Sequence, residues 1–306
     1  MKTCHALKPR RVSLGKQPKP GSNPNNHAEP EAKDKVKKKE SQKQDLANLF
    51  GDFLKTGDQS KIIGYLISNS NLPGPRGNLE LAGVFAEVVE EHLVKAPGRL
   101  WTLCQELTEY SPDDAPTNDP KEFLPFCGSL ATGAIGSVSP TYFQQAMSRL
   151  RELAEDPRWR MRESVAMGIQ RLMEKQSQKT LKELETWIVK DKWLAMRAVA
   201  AGVAEPALLK NQHTATSALK LHEKVFAQIL ASKDRKSDAF KTMKQGLGYS
   251  LSVVVRETPS EGFPYIRQLV KTQDTDILWI TKENLKKNRL VKSFPDEVSS
   301  IKILLK

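Results

Sequence analysis

Residues 156–173, DPRWRMRESVAMGIQRLM, and residues 191–209, DKWLAMRAVAAGVAEPALL, are two consecutive copies of one helical unit written about 34 residues apart. In that register Trp159 matches Trp193, Val165 matches Val199, Gly168 matches Gly202, and Glu163 matches Arg197. Asp-Pro opens a helix, and apolar residues then recur at helical spacing. A repeat of this length built from helices cannot bury its apolar face alone, so the expected fold is all-α: antiparallel helix pairs stacked into an α-solenoid.

Equivalent positions of adjacent repeats point the same way and lie one repeat apart, roughly 10 Å by ordinary helix packing. Glu163 and Arg197 are therefore expected to be neighbours. Trp159 stands four residues before Glu163, which places an indole and a carboxylate on one helix face. Two readings remain open at this point. Trp159 and Trp193 fill core while Arg197 pairs or caps, or these residues line a face that meets a partner.

The 306 residues carry 48 Lys and Arg against 36 Asp and Glu, a net charge of +12, which points to a polyanionic partner or surface. Residues 1–44 hold 12 Lys or Arg and 4 Asp or Glu, so +8 of that charge belongs to the first segment and only +4 to the rest. This segment is rich in Pro, Asn, Lys and Gln and poor in large apolar residues, so the composition predicts a disordered basic arm. Its densest charge is Lys37 to Lys39, read either as a tether to nucleic acid or as a solvated tail. Cys4, Cys104 and Cys127 are odd in number and far apart, which fits a reducing compartment. The five histidines show no metal-ligand spacing, so neither metal nor cofactor is expected. No stretch approaches the ~20 apolar residues of a membrane span, so a cytoplasmic protein, off the membrane and monomeric, is expected.

From Asp45 onward the pattern is helical. DLANLFGDFLKTG and DQSKIIGYLISNS form a first pair, NLELAGVFAEVVEEHLVK and GRLWTLCQELTEYS a second, and the Pro- and Gly-rich NLPGPRGN is a turn between them. SPDDAPTNDP reads as an exposed connection or a mobile flap. The expected division is a disordered arm over 1–44, N-terminal helical cap repeats over 45–137 and a repeat domain over 138–306. FLPFCGSLATGAIGSV resembles a phosphate loop only superficially, and small residues for close helix packing are the better reading. PTYFQQAMSRLRELAED is an outer helix with apolar Phe143, Ala146, Met147, Leu150 and Leu153, and its inner partner begins at Arg158. TLKELETWIVK, HTATSALKLHEKVFAQILAS and SEGFPYIRQLVK are then the outer helices before the Trp193, Tyr249 and Trp279 helices.

Inner-helix residues near the first turn of such a stack line its concave face. Those positions hold Trp159, Arg162, Glu163, Arg197, Tyr249, Trp279 and Lys282. Aromatics interleaved with Arg and Lys suit a nucleic-acid backbone or an extruded nucleotide, although aromatics in helical repeats are more often core and Trp279 is discounted on that ground. KENLKKNRLVK adds Lys286, Lys287, Arg289 and Lys292, the most basic patch of the folded chain, which is also what a terminal repeat needs for solubility.

Trp159 with Glu163, then WLAMRAVAA with Arg197, then FKTMKQGLGYSLSVVVRE with Tyr249 after Gly248, together resemble the DNA alkylation repair HEAT-like glycosylases, which excise cationic alkylpurines. The likeness covers about Thr141 to Leu290. DTDILWITKENLKKNRL is also similar to the closing repeat of bacterial HEAT-repeat proteins related to those glycosylases. Two positions depart from the family pattern: Glu163 stands where the family has a catalytic Asp, and Tyr249 where it has a second Trp. The resemblance implies that Glu163 stabilises oxocarbenium charge on the sugar or positions water. It implies that Trp159 and Tyr249 pack the deoxyribose and the cationic base, and that Arg197 holds a phosphate or neutralises Glu163. The expected function is a HEAT-like protein that binds nucleic acid, duplex DNA above all, with Arg162, Lys282, Lys286 and Lys287 on the backbone. An active alkylpurine glycosylase and a protein–protein scaffold on the solenoid surface are the alternatives.

Overall fold

The structure, a computed structural model, describes residues 28–305, with side-chain surroundings from residue 36 onward. Among the described residues there are fourteen α-helices, two short 3-10 turns and no strand. The helices are α1 (Ala28–Thr56), α2 (Ser60–Ser68), α3 (Leu79–His92), α4 (Pro97–Thr108), α5 (Phe123–Val138), α6 (Pro140–Leu153), α7 (Trp159–Glu185), α8 (Trp193–Gly202), α9 (Gln212–Ala231), α10 (Asp238–Glu257), α11 (Pro259–Lys271), α12 (Thr275–Asn284), α13 (Asn288–Val291) and α14 (Pro295–Leu304). Among the described residues no helix is long and apolar enough to cross a membrane.

Helices α3, α5, α7, α8, α10 and α12 lie against one another in that order, and α4, α6, α9 and α11 pack against members of this row. Buried apolar side chains gather in two clusters, from Leu46 to Ile135 and from Phe143 to Ile301, which meet where α5 packs on α7. Every residue of α5 from Phe123 to Ser137 is buried. That burial explains its small residues. A Cβ at Gly133 would stand 2.3 Å from the Gly168 carbonyl oxygen of α7, and one at Gly136 would stand 2.5 Å from the Ala146 Cβ of α6. Glycine is required for backbones to approach this closely, so the glycine-rich stretch is a packing helix.

Three sequence expectations are corrected. The segment read as a disordered arm over residues 1–44 is helical from Ala28, and α1 continues unbroken to Thr56. Residues 1–27 of that arm lie outside the described residues. Gln42 is buried, and Lys39 and Lys43 reach Glu87 and Glu91 of α3, so part of the basic charge docks this helix on its neighbour.

The inner helix at Arg158 and the outer helix TLKELETWIVK were expected as separate pieces, yet α7 runs through both, kinked at Gln176 (φ −132°, ψ 45°). The Gln176 amide donates to the carbonyls of Gly136 and Ser137, orphan acceptors at the end of α5. The kink therefore ends one helix while bending another.

SPDDAPTNDP is no mobile flap. Arg158 is buried and donates to the carbonyls of Tyr110, Ser111 and Ala115, while its own Asp156 holds it at 2.7 Å and 3.0 Å. All five N–H groups of the guanidinium are engaged in this way, which fixes the loop to the start of α7.

Candidate nucleic-acid interface

The start of α7 holds four functional or structural side chains, Arg158 at the cap and Trp159, Arg160 and Arg162 in the first turn. Arg158 anchors the preceding loop as described. Arg160 is buried and donates to Glu122 (2.9 Å), to the Gly74 carbonyl (2.6 Å) and to Asn118 (3.3 Å), while Asn118 donates its backbone N–H to the same Glu122 carboxylate (2.7 Å). With both of its neighbours turned inward, Trp159 faces out, 45% exposed, with the Arg160 guanidinium 4.4 Å from its ring centroid. Arg162 turns back onto the carbonyls of Asp156 and Pro157. Burial, and then the charge of Arg197, draw the Arg162 guanidinium below its ordinary value. Arg162, expected on the backbone of a bound duplex, thus has one guanidinium nitrogen on the carbonyls at the α7 terminus.

Glu163 and Arg197 form the ion pair that the repeat register requires. A second guanidinium nitrogen of Arg197 donates to the Arg162 carbonyl (3.2 Å), and its side chain lies where a Cβ on Gly246 of α10 would come within 3.1 Å. Arg197 is mostly covered and joins α7, α8 and α10, whereas Glu163 is half exposed. Of the two roles the sequence left to Arg197, phosphate ligand or neutralising partner, its nitrogens are engaged in the second.

Farther along the row the aromatics continue. Tyr249 of α10 is 49% exposed, accepts from Arg289 (2.7 Å), and has the Arg289 and Lys287 cations 4.5 Å and 5.9 Å from its ring centroid. Trp279 of α12, set aside in the sequence as core, is 37% exposed; it packs where Gly248 leaves room and carries the Lys244 ammonium 4.9 Å from its ring. Lys244 also binds Asp276 (2.8 Å), within a cluster in which Arg235 reaches Asp274 (2.6 Å). Burial opposes ionisation of Asp274, but the Arg235 hydrogen bond and nearby amides hold its carboxyl below the usual range. Lys282 is exposed, and Lys286 is exposed beside Glu283. Tyr249 with Arg289 and Lys287, and Trp279 with Lys244, are thus two rings faced by cations.

Beside Trp159 opens a cleft of about 250 Å³ between the 71–78 turn and α7. Leu72, Phe123, Phe126 and Met167 give it apolar walls, and Trp159, Glu163, Arg76, Glu122 and Arg160 also line it. The Glu122 Oε1 and the Arg160 Nε are buried without a hydrogen-bond partner. Sequence reading missed this cleft because its walls come from segments up to about 90 residues apart, and it missed Arg160 and Glu122 because buried charges follow no local pattern.

Comparison of the chain with family models, with curated proteins and with solved structures finds no match.

Proposed function

We propose that this chain is a nucleic-acid-binding protein, built as an α-solenoid of HEAT-like helix pairs, that holds duplex DNA along the face carrying Trp159, Tyr249 and Trp279. The ordered row of α5, α7, α8, α10 and α12, with other helices packed on its members, supports the solenoid reading. The observation that carries the function is the set of exposed rings with cations beside them: Arg160 at Trp159, Arg289 and Lys287 at Tyr249, Lys244 at Trp279. Exposed aromatic faces cost hydration in a monomer, and the Tyr249 ring with Arg289 and Lys287 beside it offers stacking and phosphate pairing together, while Arg160 and Lys244 are held by Glu122 and Asp276 and support their rings. Lys282 and Lys286 are exposed on and just after α12, and Lys287 lies beside the Tyr249 ring.

Fluorescence anisotropy of a labelled duplex tests this reading. The affinity should fall linearly in log–log plots against salt, and Lys282→Ala or Lys287→Ala should each lower the slope by about one. Affinity independent of salt, or slopes unchanged by both substitutions, would sink it and leave the protein–protein scaffold.

A second reading, an alkylpurine glycosylase, is favoured by one observation: Glu163 and the exposed Trp159 line the same cleft. Base release from methylated duplex is its test. Glu163→Asp should raise release if the longer side chain alone limits reach, because a misplacement of about 1 Å costs on the order of 10²-fold. No base released by either protein eliminates the enzyme.

A further inference from the structure

We infer that Val12 and Leu14, in the segment that precedes α1, insert into the cleft beside Trp159 and hold that segment against the fold, an inference that does not depend on the nucleic-acid reading. The cleft measures about 250 Å³, and Leu72, Phe123, Phe126 and Met167 give it apolar walls. Two more of its lining residues, Leu79 and Trp159, are about half exposed, so large apolar surface there meets water at a cost. Its charges balance: Arg160 is paired with Glu122, and Arg76 and Glu163 are of opposite sign, so apolar burial decides the occupant. A cleft of this size takes single side chains and not a helix, which is about 10–12 Å across.

The placement of α1 selects the occupant. Lys39 donates to Glu87 and Lys43 to Glu91, both 48 residues apart, so α1 and α3 run parallel in that register. Eight residues earlier on each helix, α1 reaches residue 31 and α3 reaches Leu79, which lines the cleft. The chain ahead of Ala28 therefore starts beside that end of α3. Leu14 precedes Ala28 by 14 residues, a reach of up to about 46–50 Å. A tether of that length holds its far end at an effective concentration on the order of millimolar, an advantage no free partner has. Residues 1–27 hold four large apolar residues, Met1, Leu7, Val12 and Leu14. Val12 and Leu14 stand two apart, so an extended backbone turns both to one side and toward one pocket. Pro9 and Gly15 bracket a stretch too short for a stable helix.

Methionine-methyl resonances of the full chain test this, with the Met167 signal assigned by its loss in Met167→Leu. Val12→Ser with Leu14→Ser should shift the Met167 signal and raise acrylamide quenching of Trp159, while the signal of Met243, on α10, stays in place. A peptide of residues 8–16 added to that variant should restore the Met167 shift at about millimolar concentration, and the same peptide with both serines should not. Gly77→Val adds methyls to the cleft lining at little cost, since a Cβ there meets the Phe123 ring at 3.7 Å and 3.8 Å, ordinary contact. In that background the two serine substitutions should move Met167 no further, because the site is already blocked. The shift should also survive high salt, since apolar burial is not screened. A Met167 signal identical in the intact chain and the serine variant overturns the inference and leaves the cleft to another occupant. A difference that scales with protein concentration overturns it in favour of a second copy's segment. A difference abolished by salt overturns insertion in favour of a charge tether.

Discussion

The two copies of the helical unit share a backbone register and differ in what their first turns do with it. Val165 and Val199 are both fully buried, and Gly168 and Gly202 both let another chain segment approach, the former near Ser129 and Leu150, the latter against Ile169. Up to that depth the copies are equivalent. At the N-terminal turn they part: Trp159 is 45% exposed and Trp193 is 4% exposed, with its ring packed edge-on at 5.1 Å from Phe240. In the first copy the buried place is taken by Arg160, one residue later, because Glu122, Asn118 and Gly74 surround it with acceptors. The second copy has Leu194 there and no such cluster. A repeat thus sets which helix faces meet, while the neighbour in front of each first turn decides which side chain is drawn in.

Substituting the matched tryptophans should give the largest contrast. Trp193→Ala removes a buried indole from the larger core and is expected to cost about 3–5 kcal/mol, whereas Trp159→Ala should cost under about 1 kcal/mol. Urea unfolding measures both, and similar losses would show that the exposure difference has no energetic meaning. The same comparison at the next position should be nearly as large. Arg160→Ala leaves Glu122 buried without its cation and should cost about 3–5 kcal/mol, with Leu194→Ala well below it. If the two losses were equal, the ion pair would not be what holds the 71–78 and 111–119 loops to α7.

This contrast also marks what a sequence can reveal. Helix positions and pairing were legible because α6, α9, α10 and α11 each bury a periodic apolar stripe, as at Phe143, Met147 and Leu150. The Glu163–Arg197 contact was legible because it connects equivalent positions of adjacent repeats. Three features were not. The α7 kink depends on the Gln176 amide meeting carbonyls 40 residues earlier. The inward turn of Arg158, Arg160 and Arg162 depends in part on backbone carbonyls, which carry no residue signature, and for Arg160 on Glu122 and Asn118 some 40 residues away. The helical extension of the basic arm depends on Glu87 and Glu91, acidic partners on another helix, while composition reports only local entropy and charge.

Acid should distinguish the copies next, because a fully buried histidine lies behind the second one. The His222 Nδ1–H donates to the Ala218 carbonyl (2.9 Å) and its Nε2 accepts from the Ser250 hydroxyl (2.9 Å), a pairing that suits the neutral ring. Burial pulls its pKa from 6.5 down to about 4, only partly offset by the Ala218 bond. Between those values the unfolded chain takes up a proton that the folded chain refuses, so stability falls as pH drops from 6.5 to 4 and this contribution is level outside the window. The loss should approach about 3 kcal/mol. Urea unfolding at pH 7 and pH 4.5 measures it. His222→Gln, which keeps a donor and an acceptor, should be less stable at pH 7 but lose this part of the slope; an unchanged slope would place the acid sensitivity elsewhere.

The smallest effect should come from the contact that links the two copies. Glu163 is half exposed, so its attraction to Arg197 is screened by water and should contribute only about 0.2–1 kcal/mol. Glu163→Gln is accordingly expected to lower stability by no more than that, since the amide oxygen still accepts from Arg197. Arg197→Ala should cost more, because the same side chain donates to the Arg162 carbonyl and packs on Gly246. A double-mutant cycle isolates the pair itself. A coupling above about 2 kcal/mol would mean that Glu163 is held as a structural anion, which would leave it poorly placed to act on a substrate. A coupling near zero, joined to tighter duplex binding by Glu163→Gln, would mean that the carboxylate faces the bound strand and is free to be used there. The two results assign the joint between the repeats either to the scaffold or to the site, and the shared register alone is compatible with both.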